Sequence, residues 1–272
     1  MKFMKYSLIC TDIDGTLLDQ NKVLLHQVKE ALKKEADKGV KIALVSGRMP
    51  AGVELIEQEL GISCVKVCHA GSYIVLDDQR ISNKYLPAET LEKVYNTIAK
   101  AHGLQLWIFS EETWYVTGID KFIEKEIVDI KQQPIVVDIK DLVEQWKKEG
   151  KGPNKILLAA DPEEIRIMYQ EIENYNWSEI DYACSADTFI ELLPKGINKG
   201  EAVCEICDRL GIKREEVVAF GDHELDIPLL EAAGIGIAME NAIPELKEKA
   251  DYVTKTNNEG GIAYALENYL AK

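Results

Sequence analysis

Asp12-Ile13-Asp14-Gly15-Thr16-Leu17-Leu18, directly after the apolar run of residues 6 to 11, is the stretch on which the reading of the fold turns. The run before it reads as a buried strand that ends in a polar loop. Residues i and i+2 of a strand point the same way, so Asp12 and Asp14 can face one crevice at the carboxyl edge of a sheet. Gly15 then permits a sharp turn that a bulkier residue would resist. Two carboxylates held this close invite a cation, or a division into nucleophile and acid/base. A calcium loop of the EF-hand kind does not fit, because it wants Gly where Leu17 stands and Glu where Val23 stands. A plain helix cap and turn would also account for this segment taken by itself.

Working outward, strand and helix signals alternate. Val28, Ala31, Leu32 and Ala36 recur at helical spacing, with Gly39 placed as a stop. Residues 40 to 45 read as the next strand, 50 to 60 as a helix with Pro50 in its first turn, and 65 to 68 as a third strand. The same grammar returns late in the chain. Residues 201 to 210 form a helix closed by Gly211, followed by a strand at 217 to 220, a helix near 227 to 233 and a strand at 235 to 238. A helix is expected over 241 to 249, with Pro244 in its first turn, and a last short strand at Tyr252 and Val253. Such alternation predicts an α/β fold, a Rossmann-like parallel sheet with helices on both faces.

The middle differs. It holds all four tryptophans (Trp107, Trp114, Trp146, Trp177) and strand pairs such as 105 to 109 with 113 to 117. That grammar is α+β. It predicts a domain of residues 84–190 inserted into a core of residues 1–83 and 191–272. Trp107, Trp114 and Tyr115 could meet a sugar ring there, although core packing is the simpler use for each.

Composition bounds the function. The chain has 272 residues, 46% apolar and 29% charged, as a globular protein does. Apolar runs such as residues 156 to 160 are too short to span a bilayer, and residues 1 to 5 (Met-Lys-Phe-Met-Lys) lack the apolar segment of a signal peptide, so the cytoplasm is expected. A formal charge of −15 argues against nucleic acid and anionic membranes as partners. It also means that a site for a phosphorylated substrate must bring its own local positive charge. The six cysteines, including the pair Cys204 and Cys207 inside a helical stretch, read as free, largely buried thiols. No second pair or Cys/His cluster completes a zinc site.

Three further constellations stand at strand ends or beside them. Ser46-Gly47-Arg48 offers a hydroxyl and backbone N–H groups before a helix, a phosphate cradle. Asn198-Lys199-Gly200 can deliver one ammonium from a helix start. Gly221-Asp222-His223-Glu224-Leu225-Asp226 adds two carboxylates where the sheet edge meets a helix, hard oxygen ligands suited to Mg²⁺.

In this order, the aspartate pair, serine, lysine and second acid pair resemble the haloacid dehalogenase (HAD) superfamily, specifically its Cof-type phosphatases with a large (type IIB) cap between the second and third motifs. The resemblance spans essentially the whole chain, including 233 to 239, Asn241-Ala242 and 257 to 261. It implies that Asp12 attacks phosphorus to form an aspartyl-phosphate, and that Asp14 serves as acid and then base. Ser46, Gly47 and the backbone N–H of Ile13 would hold the phosphoryl oxygens. Lys199 would neutralise charge. Asp12, the main-chain carbonyl of Asp14 and Asp222 would bind Mg²⁺, with Asp226 orienting the metal's water or Lys199. Two departures stand out. The family usually has a phosphate-contacting Asn where Leu225 stands, and an Asn-Gly pair where this chain has His69-Ala70-Gly71. The expectation is a Mg²⁺-dependent hydrolase of small phosphorylated metabolites, sugar phosphates or similar. A phosphomutase of the same fold and a non-catalytic phosphometabolite sensor are the alternatives.

Overall fold

The computed structural model describes residues 6–130, 132–175 and 177–270; residues 1–5, on which the expected address rests, lie outside them. The chain divides into two compact units, Met1–Ile81 with Asn198–Lys272, and Ser82–Ile197.

In the first unit the short apolar runs become strands and the periodic stretches between them become helices. In order these are β1 (Leu8–Thr11), α1 (His26–Asp37), β2 (Lys41–Val45), α2 (Pro50–Leu60) and β3 (Val65–Cys68). Pro50 sits in the first turn of α2, where its missing N–H costs nothing. Two strands outside the sequence reading follow, β4 (Tyr73–Leu76) and β5 (Gln79–Asn83). They are joined through Asp77 and Asp78, both at positive φ (48° and 57°), the backbone handedness that suits a two-residue turn.

The second unit contains α3 (Ala88–Val94), β6 (Leu106–Ser110), β7 (Thr113–Val116), α4 (Lys121–Ile130), β8 (Ile135–Val136), α5 (Ile139–Glu149), β9 (Lys155–Ala159), α6 (Pro162–Asn174), β10 (Ile180–Ala186) and β11 (Phe189–Pro194). Its strands run β10-β11-β9-β6-β7-β8, mostly antiparallel. Leu106, Ile108, Ile156, Leu158, Ile190 and Leu192 meet Leu91, Trp146 and Met168 of the helices in one core. The aromatic residues are packing residues here. Trp107 and Trp114 are buried with ring centres 5.3 Å apart, and Tyr115 stands edge-on to Trp146. A boundary at residue 190 would cut β11, which runs to Pro194 and pairs along its length with β10; the compact unit extends to Ile197.

The chain then returns to the first unit with α7 (Lys199–Leu210), β12 (Val217–Gly221), α8 (Ile227–Ala232), β13 (Ile235–Ala238), α9 (Pro244–Lys249), β14 (Tyr252–Val253) and α10 (Gly261–Asn268). The sheet order is β14-β13-β12-β1-β2-β3-β4-β5, parallel from β14 to β3. Alternate residues serve opposite faces. Ile9, Ile42, Leu44, Val218 and Phe220 pack with α1, α2 and α10, while Leu8, Ala43, Val45, Val217 and Ala219 pack with α7, α8 and α9. Each such Leu, Ile or Val contributes about 1.5–3 kcal/mol of burial, so the strand ends are anchored from both sides. One helix is shorter than expected. Residues 241 to 243 stay outside α9, because Ile243 donates its N–H to the Asp222 carbonyl (3.0 Å) and the Asn241 side chain is engaged elsewhere. All six cysteines are free; Cys207 of α7 lies in the core, and Cys204 on the same helix is half-buried.

Candidate active site

Parallel register brings the chemistry together. Thr11 pairs with Phe220 on one side and Leu44 on the other, so β12, β1 and β2 end side by side and release Asp222, Asp12 and Ser46 at one edge. Asp12 and Asp226 are buried, and Asp222 is half-buried. Ligand-capable oxygens of these three carboxylates lie within 4.8 Å of one another. Lys199, at the start of α7, bridges two of them, with Nζ 2.6 Å from both Asp12 Oδ1 and Asp226 Oδ1. Two features aim that lysine. Asn198 caps α7 by accepting from the Glu201 N–H (3.0 Å), and Gly200 lets the helix start close on Pro228, where a Cβ would stand 2.3 Å from a carbonyl oxygen.

The acid loop after β12 is tied into a knot. Asp226 Oδ2 accepts from the backbone N–H groups of Asp222 (2.9 Å) and His223 (3.0 Å), leaving Oδ1 for Lys199. Thr16 donates to Asp222 Oδ1 at 2.6 Å. Gly15 has φ +87°, and a Cβ there would fall 2.3 Å from Asp222 Oδ2, so both its handedness and its bareness are required.

Asp14 points elsewhere. Arg48 grips it in a fork, Nε to Oδ2 and Nη2 to Oδ1, both 2.7 Å, and Lys22 Nζ also bonds Oδ1. Ser46 is buried, and its hydroxyl oxygen accepts from the Arg48 N–H at 3.1 Å. Ile13 is buried, its carbonyl accepting from Leu17 and Leu18, and Gly47 is half-buried beside Ser46. Leu225 is half-buried in the turn between Asp222 and Asp226. His69 and Ala70 both hold positive φ (49° and 55°) after β3 and donate their N–H groups to Arg48 and Ser46 carbonyls.

Electrostatics follow from crowding. Burial drives the Asp12 pKa well above the ordinary carboxylate value; Lys199 pulls it down, while Asp226, Asp222 and Asp14 push it up. Burial and Asp226 raise Asp222 to about 6. Burial works against the charge on Lys199, yet Asp12 and Asp226 overcome it and raise its pKa. Three carboxylates thus share one ammonium, and the all-oxygen donor set is that of a hard divalent cation. The residues present fit such an ion. The carboxylate of Asp14 is not in the cluster.

Arg48, Lys22 and Thr16 were not among the residues assigned from sequence. Arg48 lay in view beside Ser46, but nothing in spacing tells which carboxylate an arginine meets. Thr16 had a usable signal, since a hydroxyl just beyond a glycine turn sits where a neighbouring strand's acid loop would pass.

The parallel sheet edge carries the acids, the serine and the lysine on which the resemblance to the HAD fold rests, and comparisons with known proteins point to the same fold. Residues 9–266 match the family model for haloacid dehalogenase-like hydrolases, and the chain belongs to that family. YxeH of Bacillus subtilis (strain 168) is 30% identical over 98% of this chain and its own full length. The 5-amino-6-(5-phospho-D-ribitylamino)uracil phosphatase YwtE of the same organism is 27% identical over 97% of this chain and 98% of its own. Among solved structures, the HAD subclass IIB sugar phosphatase BT4131 superposes with a TM-score of 0.82 at 26% identity, covering 97% of this chain and 98% of that one. The protein is a Cof-type phosphatase of the HAD superfamily. Among the described residues no helix is long and apolar enough to cross a membrane.

Proposed function

We propose that this phosphatase is a Mg²⁺-dependent hydrolase of small phosphomonoesters, sugar phosphates or similar metabolites, working in the cytoplasm through an aspartyl-phosphate on Asp12. The observation that carries the reading is the Lys199 bridge between Asp12 and Asp226, with Asp222 completing a three-carboxylate cluster. Asp12 attacks the phosphorus through one carboxylate oxygen as the bond to the leaving oxygen breaks, and Asp14 gives that oxygen a proton. Water then attacks the acyl-phosphate, Asp14 takes its proton, and orthophosphate leaves with Asp12 restored. Ser46, Gly47, the Ile13 N–H and Lys199 hold the phosphoryl oxygens. Asp12, Asp222, Asp226 and the Asp14 main chain would hold Mg²⁺, which when bound offsets the charge of phosphate and carboxylates. Asp14 is ionised while Arg48 and Lys22 hold it, the state needed for its role as base. Acting as acid requires substrate entry to loosen those ties.

The unit Ser82–Ile197 is the cap that selects the substrate, a role that its insertion between the Ser46 and Lys199 motifs supports, and the likeness to the phosphatases YwtE and BT4131 supports a small phosphorylated substrate. The charge of −15 supports a metabolite rather than nucleic acid or an anionic membrane as partner. Leu225, which cannot contact phosphate as an amide would, favours one other reading, a phosphometabolite sensor. Phosphate release from a panel of phosphomonoesters, with Mg²⁺, with EDTA and with Asp12→Asn, separates the two. Metal-dependent release abolished by the substitution is expected; silence across the panel with retained binding would establish the sensor.

A further inference from the structure

Asn241, in the loop after β13, has no part in the chemistry above, yet it touches the machinery from outside. Its Nδ2 donates to the Gly15 carbonyl at 2.8 Å, and its Oδ1 accepts from the Asn257 N–H at 2.9 Å. Asn257 is buried, and its own side chain donates to the Leu18 carbonyl at 2.9 Å. Two residues on, Ile243 donates its N–H to the Asp222 carbonyl at 3.0 Å. Sheet order explains the reach: β13, β12 and β1 are consecutive, so the loop after β13 passes across the Asp222 loop to the Asp12 loop. Residues 241 to 243 therefore grip both acid loops, where Thr16 and the bare Gly15 already rest against Asp222.

We infer that Asn241 is a positioning residue that sets the spacing of the Asp12 and Asp222 loops and thereby tunes affinity for the divalent cation. The inference rests on the metal reading above. The amide accepts from one backbone and donates to another at once, so no apolar residue of similar size reproduces the brace. Asn241 is exposed. Its loss should leave the fold intact and act on the site, as changes to groups that orient metal ligands do.

The test uses the full chain, with Mg²⁺ titrated calorimetrically into the protein, Asn241→Leu and Asn241→Ala, alongside thermal unfolding without metal. The Mg²⁺ dissociation constant should rise about tenfold in both variants. The metal-free Tm should move by less than about 2 °C, as for a surface substitution in a chain of this size. Equal Mg²⁺ affinity in wild type and both variants would overturn the inference, as would a fall in metal-free Tm with affinity unchanged. A wild type that binds no Mg²⁺ would overturn the metal reading itself and this inference with it, a result distinct from variants that bind as well as wild type. The Leu variant keeps the bulk of the side chain, so the test stands if Asn241→Ala fails to fold.

Discussion

Arg48 holds Asp14 through two parallel bonds of 2.7 Å, fixing the loop after β1 to the end of β2. Burial alone would raise the Asp14 pKa, but the Arg48 fork and the Lys22 ammonium outweigh it and hold the carboxyl at about 2. At neutral pH this acid is a base in waiting.

The depressed pKa makes a stability claim with a definite sign. Asp14 titrates at about 3.8 in the unfolded chain and at about 2 in the folded one, so the folded state binds fewer protons in between. Its contribution is complete above about pH 4 and drains away as pH falls through about 2. The difference in urea midpoint between the protein and Asp14→Asn, measured without metal, should be largest at neutral pH and roughly halved near pH 3. A difference that stays constant on acidification would contradict the ion pair.

Asp222 carries the opposite sign. Raised to about 6 by burial and Asp226, it favours the folded state when protonated, and that advantage is lost as pH rises from 3.8 through about 6. A cation competes with the proton for the same oxygens. The thermal stabilisation produced by saturating Mg²⁺ should therefore be clearly greater near pH 7.5 than near pH 5. Equal shifts at both would mean that the cation binds away from Asp222.

Lys199→Met should fail twice. It leaves Asp12 and Asp226 buried without their shared cation, a loss of about 3–5 kcal/mol in urea unfolding. It also strips the site of its fixed positive charge, so phosphate release should fall at least about a hundredfold. Wild-type turnover in this variant would remove Lys199 from the mechanism.

Leu225→Asn tests the departure from the usual motif. Leu225 lies in the turn that carries Asp222 and Asp226, and an amide there could offer the phosphate one more hydrogen bond of about 1 kcal/mol. Steady-state kinetics should show KM for a phosphomonoester falling about fivefold. An unchanged KM would show that the position does not face the phosphate.

Much of this site could be read along the chain, for local reasons. Asp12 and Asp14 are two residues apart after an apolar run, Asp222 and Asp226 follow another, and Gly39 and Gly211 close helices at positive or left-handed backbone angles. Strand period, helix period and glycine stops are properties of a few neighbouring residues. Of the two strands outside the sequence reading, β4 (Tyr-Ile-Val-Leu) does carry an apolar run, whereas β5 (Gln-Arg-Ile-Ser-Asn) lacks one and takes its place from the neighbouring strand. The helix expected from residue 241 begins at Pro244 because the residues before it bond to other loops.

By itself, then, the sequence determined the α/β alternation, the interruption by an α+β insertion, and which side chains stand at strand ends. Tertiary structure decided who meets whom. That Asp14 faces Arg48 and Lys22 rather than the carboxylate cluster, that one lysine bridges Asp12 and Asp226 across 187 and 27 residues of chain, and that Asn241 reaches Gly15 all depend on strand order. Strand order is set by the packing of two helical layers on one sheet, a sum over many distant contacts that no local period encodes.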